Sequence, residues 1–129
     1  MRENNWLLYR LEKIWASYFS DIDQINKVYI RYGRYSDTRF GSIRMCFTDR
    51  SSHIVVTSKF KNAKIPEEIV DHTIAHELVH YSHGFSSPHP RLHKFPHRGG
   101  VIEKELKRRG LAHLVNYYKK WVEDYAKTL

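Results

Sequence analysis

The chain has a single cysteine, Cys46, among 129 residues. It can therefore close no internal disulfide, and it has neither a C-x-x-C metal knuckle nor the cysteine framework of a stapled secreted domain. Cys46 reads as a small buried side chain rather than a nucleophile. Long apolar runs are also missing: the opening residues MRENNWLLYRLEKIW interrupt every hydrophobic stretch with charge. That excludes a signal-peptide core or a membrane span there, and makes cytoplasmic residence the expectation. There is no internal repeat, low-complexity tract or second composition, so residues 1–129 read as one domain long enough to bury one core. Acidic residues are in short supply, 14 against 22 lysines and arginines, which leaves a net charge of +8. Such a balance favours an acidic partner such as nucleic acid, with a generally basic surface as the plain alternative.

What is present is a sequence of changing periods. Leu7, Leu11, Ile14, Trp15 and Tyr18 form an apolar stripe at helical spacing over residues 3–20, and Ile22 and Ile25 extend the contact through the following turn. From 27 to 58 the period drops to two. Val28, Ile30 and Tyr32 share one face of a strand, Ile43, Met45 and Phe47 share one face of a second, and His53–Ser58 is a β-branched third. Turn residues separate them, and the simplest arrangement is a three-stranded antiparallel meander with one face on the helices and Arg31, Arg44 and several tyrosines on the other. The fold class expected is α+β. Tyr29, Arg31, Tyr32, Arg34 and Tyr35 suit a strand surface that stacks bases and neutralises phosphates, and they equally suit ordinary strand packing.

The next segment carries the chemistry. Pro66-Glu67-Glu68 has the proline and acids of a first helical turn, Ile69, Thr73, His76 and His80 recur at helical spacing, and Gly84 supplies a stop, which predicts a helix over about 66–83. Within it His76-Glu77-Leu78-Val79-His80 spells H-E-x-x-H. Imidazoles four apart on a helix lie about 40° apart around the axis and about 6 Å along it, so both reach one ion from the same face. Glu77 then sits beside the metal, where a carboxylate takes a proton from an activated water.

Two histidines leave a catalytic zinc site one ligand short. His83 lies about 10 Å along the helix from His76, too far for the same ion, and His83 and Ser86 stand where the metzincin pattern needs glycine and histidine. The stretch from His83 to Pro96 holds three prolines and a glycine and reads as a long loop. A helix from His97 to Arg109 follows, then a last helix with Leu111, Leu114, Val115, Tyr118, Trp121, Val122 and Tyr125 at near-heptad spacing. His97, at the return of the chain, is the preferred third ligand, with Gly99 and Gly100 allowing close backbone approach. Glu103 is the alternative, and His89 and His93 are weaker candidates among the prolines.

A helix, strands, the motif at 76–80, a loop, and a later histidine opening a helix that ends in glycine together resemble the SprT-like (Spartan-related) family of zinc metallopeptidases over about residues 5–112. The resemblance implies a small zincin-like domain with one zinc ion per chain, His76, His80 and His97 as its ligands and Glu77 as catalytic base. It also implies a possible link to DNA-associated protein substrates. The third-ligand segment reads His97-Arg98-Gly99-Gly100-Val101 where the family commonly writes H-G-x-x-F, which keeps Glu103 in play. One cysteine cannot build the C-terminal zinc ribbon of many members.

The leading functional expectation is a zinc endopeptidase in which Glu77 acts as general base on a metal-activated water and returns the proton to the leaving amine. A peptide would pair with an exposed edge strand, and Tyr81, His93 or Arg98 would stabilise the oxyanion. The competing readings are a non-catalytic, metal-stabilised module that binds nucleic acid or protein, and a peptidase kept latent by its loop or a terminus.

Overall fold

The computed structural model describes residues 1–129. Helix α1 (Asn4–Tyr18) buries Leu7, Leu11 and Ile14, the stripe expected from its spacing. Trp15 packs edge-on against Tyr81 and its indole N–H donates to the Ile22 carbonyl at 2.9 Å. Ile22 joins the core as expected, whereas Ile25 is exposed.

Three strands follow, β1 (Val28–Gly33), β2 (Gly41–Met45) and β3 (Ser52–Thr57). They do not form the expected antiparallel meander. The order is β1-β3-β2, with β1 parallel and β2 antiparallel to β3. The reason lies in β3, whose side chains alternate between buried and half-buried along Ser52–Val56 and end on buried Thr57, while β1 and β2 carry exposed Arg31 and Arg44. The strand with the most to bury takes the centre, and the charged strands take the edges. The β1–β2 connection crosses the end of β3 and is clamped there. Thr57 accepts from the Ser36 N–H at 2.8 Å and donates back to the Ser36 carbonyl at 3.1 Å, and the Thr57 N–H donates to the Phe40 carbonyl at 2.8 Å. The outer face of the sheet shows Tyr29, Arg31 and Arg44, as the alternation requires.

A 3₁₀ turn (Ser58–Lys61) leads into helix α2 (Glu67–Ser82), which carries the H-E-x-x-H residues and begins at Pro66 with Glu67 and Glu68 in its first turn. Thirteen of its 16 residues are buried. No single apolar stripe is needed because α2 is the central element, packed against α1, the sheet and both C-terminal helices. Arg10 of α1 joins it through a bidentate pair with Asp71 at 2.9 and 2.7 Å and a contact with Glu67 at 3.0 Å. The helix stops at Gly84, whose φ of 77° is left-handed; a side chain there would meet the Pro90 and His89 carbonyl oxygens at 2.4 and 2.5 Å. The loop thus folds back over its own origin.

The expected helix over 97–109 is shorter. Arg98–Gly100 form a 3₁₀ turn and α3 spans Val101–Arg108, because Gly99 and Gly100 both adopt positive φ. These glycines supply a backbone turn and not close approach, since a Cβ at either position would touch nothing within 4 Å. Gly110 ends the element and α4 (Ala112–Ala126) closes the chain. Its Tyr118, Trp121 and Tyr125 surround Phe40, with ring centroids at 6.4, 6.1 and 6.3 Å. Cys46 is half-exposed on the β2–β3 turn, 3.0 Å from the Thr48 hydroxyl, and not buried as expected. No helix is long and apolar enough to cross a membrane.

Candidate metal centre

Helix α2 presents His76 and His80 one turn apart, and the 3₁₀ turn before α3 brings His97 across to them. The Nε2 of His80 lies 3.2 Å from that of His76 and 2.9 Å from that of His97. Donor atoms of the three residues all fall within 4.8 Å of one another, close enough to bind one metal ion, and no fourth histidine, cysteine or carboxylate joins the group.

The donor chemistry fits a cation. A neutral imidazole directs either one proton or one lone pair from Nε2. His80 faces two other Nε2 atoms with that single group, so it can satisfy one of them and opposes the other. A positive ion satisfies all three at once. Tetrahedral zinc with bonds near 2.05 Å sets its nitrogen ligands about 3.3 Å apart, close to the two separations seen at His80. Burial pushes the His76 imidazole down to about 4 and that of His80 to about 3, with neighbouring histidines adding to both shifts. Both rings are therefore neutral at physiological pH, the form that ligates. The Nδ1 of His80 has no protein partner, and its ring rests on Phe85 at 5.3 Å.

Glu77 is 5% exposed and accepts no hydrogen bond, and burial pushes its carboxyl up to about 8. Arg39 opposes that shift by favouring the anion. Glu77 opens into a cleft of ≈ 200 Å³ whose wall includes Arg39, Gly41, His72, His76 and Tyr118. Gly41 is close to obligatory here: a Cβ on it would sit 2.6 Å from Thr73 Cγ2 and 3.2 Å from Glu77 Oε2. His72 stacks on Tyr118 at 3.9 Å with the planes 9° apart, forming a wall that continues to His76.

The other sequence candidates fall elsewhere. Glu103 pairs with Lys107 and Lys119 and stands outside the histidine cluster. His83 is 3.6 Å from Glu105 and packs on His93 at 4.7 Å, as its distance along α2 requires. His89 contacts the Asp23 carbonyl at 2.7 Å. None of the expected oxyanion groups lines the cleft: the Tyr81 hydroxyl donates to Asn26 at 2.7 Å, His93 is on His83, and Arg98 lies over Phe95 at 4.7 Å. Sequence reasoning missed Arg39, Gly41, His72 and Tyr118. His72 alone left a trace, one turn before His76 on the same face.

Of the suggested base-stacking residues, Tyr29 is exposed but stacks on His53 at 5.0 Å, Tyr32 turns to the inner face, and Tyr35 donates to Asp37 at 2.9 Å. Compared with known proteins, the chain matches no family model, no curated protein and no solved structure.

Proposed function

We propose that the chain is a zinc-dependent endopeptidase of the SprT-like kind, with His76, His80 and His97 holding the metal and Glu77 as general base. The observation that carries the reading is the meeting of three Nε2 atoms together with a buried carboxylate, Glu77, that shares a cleft with one of the three, His76. A structural zinc site is normally closed by a fourth protein ligand and has no use for that carboxylate. Three donors leave a position open, which favours catalysis over a metal-stabilised binding module. The cleft wall takes no side chain from the 84–96 loop, which favours an open enzyme over one kept latent by that loop.

Zinc bound there supplies Lewis-acid activation of water and of a peptide carbonyl. The protein's own groups do the rest. Glu77, raised by burial toward neutrality, accepts a proton and returns it to the leaving amine, and Arg39 keeps its anionic form accessible. Tyr118 and Arg39 both line the cleft wall, and in this reading they stabilise negative charge on a reacting carbonyl. Strand β2 lies at the sheet edge next to Glu77 and suits pairing with an extended peptide.

The test is metal analysis beside a proteolysis assay on denatured protein. The parent is expected to hold one zinc per chain; His76→Ala, His80→Ala and His97→Ala lose it, and Glu103→Ala keeps it. Glu77→Gln is expected to retain zinc and lose cleavage. A Glu77→Gln protein as active as the parent would overturn the mechanism.

A further inference from the structure

A groove of ≈ 320 Å³ runs beside β2 on the side of the β1–β2 connection, lined by Arg34, Arg39 and Arg44 together with Ser36, Ser42 and the end of β3. Each guanidinium is exposed and none forms an ion pair with a carboxylate. Between Val28 and Thr48 the chain has one acidic residue, Asp37, against these three arginines and Arg31. Asp37 is already committed: it accepts from Lys59 at 3.0 Å, Tyr125 at 2.8 Å and Tyr35 at 2.9 Å. The arginines are thus left with excess positive charge in a concave setting, where a carboxylate gains charge-assisted, bidentate hydrogen bonds.

The groove is also firmly built. Ser36 is clamped to Thr57, and its hydroxyl accepts from the backbone N–H of Thr38 and Arg39 at 3.2 and 2.9 Å. Phe40, 8% exposed, anchors the connection between Arg39 and Gly41 in the core. Arg39, Phe40 and Gly41 line both this groove and the Glu77 cleft. A chain lying along β2 would therefore enter the groove within a short reach of the reacting centre.

We propose that this groove is a specificity subsite that takes an aspartate or glutamate side chain of the peptide substrate. The assignment rests on the peptidase reading and adds a substrate class to it. A nucleic-acid strand is the less suited occupant. Tracking a single strand needs several free aromatic faces beside the basic residues, whereas of the two rings here Phe40 is buried in the core and exposed Tyr35 already carries Lys59 over its ring at 5.2 Å.

The test measures binding apart from cleavage. Zinc-loaded Glu77→Gln protein is titrated, by fluorescence anisotropy, into a labelled peptide of alternating glycine and glutamate, its glutamine counterpart, and a short oligothymidylate. The glutamate peptide is expected to bind about tenfold tighter than the glutamine peptide at moderate salt, as one well-placed charged contact warrants. Adding Arg34→Gln, Arg39→Gln and Arg44→Gln should abolish that preference with zinc content unchanged, and lysine at the same positions should restore part of it. Equal binding of the two peptides, or a preference that survives the triple substitution, overturns the proposal. So does oligothymidylate binding that depends on the three arginines in the absence of a glutamate preference. The peptidase reading fails separately, when zinc-loaded parent cleaves neither peptide nor denatured protein while the glutamate preference stands.

Discussion

Replacing Gly41 with alanine probes the contact that sets β2 against the Thr73–Glu77 turn of α2. The new Cβ would lie 2.6 Å from Thr73 Cγ2, about 1 Å inside normal carbon–carbon contact. Thr73 cannot yield easily. It is β-branched and 4% exposed, and its hydroxyl donates to the Ile69 carbonyl at 3.0 Å. Either the strand backs away from the helix or Thr73 leaves its rotamer, at a cost of about 1–3 kcal/mol. The same methyl, 3.2 Å from Glu77 Oε2, crowds the carboxylate, so cleavage should fall by more than the folded fraction while zinc is retained. Thr73→Ser removes Cγ2 and keeps the hydroxyl. On its own it should cost about 0.5–1.5 kcal/mol, as other single-methyl deletions do, whereas in the Gly41→Ala background it should recover stability, because the methyl has only changed sides. Urea unfolding of the four proteins closes the cycle, with unchanged slopes and a favourable coupling of about 1 kcal/mol or more expected. A Gly41→Ala midpoint equal to the parent's, or additive losses in the double variant, would refute the steric reasoning.

Other outcomes follow from the same structure. Chelation should lower the thermal midpoint of the parent and leave that of His97→Ala unchanged, since only a protein that binds metal in its folded state gains stability from it, checked by calorimetry with and without chelator. Arg10→Ala strands the buried Asp71 carboxylate without its bidentate partner and should cost about 3 kcal/mol or more in urea unfolding, with Asp71→Asn in the same background recovering part of the loss. Hydrogen bonds from Lys59, Tyr125 and Tyr35 hold Asp37 well below the usual carboxylate range, at about 2. A carboxylate lowered by folding contributes stability above its unfolded value near 3.8, and that contribution fades as pH falls through about 2. Asp37→Asn should therefore flatten the acid limb of the stability curve between those values, and an unchanged limb would place the depressed carboxylate elsewhere.

The sequence by itself determined what depends on neighbours in the chain. The apolar stripe of α1, the placement of His76, Glu77 and His80 on α2, and the stops at Gly84 and Gly110 all follow from helical spacing and backbone freedom, which are local. His97 was legible only because the long proline-bearing loop had to return the chain somewhere. Its choice over Glu103 needed the turn at Gly99 and Gly100, which aims His97 at His80 and leaves Glu103 among lysines. The tertiary structure alone decided the sheet order, since a strand's place at centre or edge depends on what covers both its faces. It also decided the pressing of Gly41 onto Thr73 and Glu77, the arrival of Tyr118 from α4, and the sharing of Arg39 between cleft and groove. These residues carry no periodic signal, because they act across contacts between elements far apart in the chain.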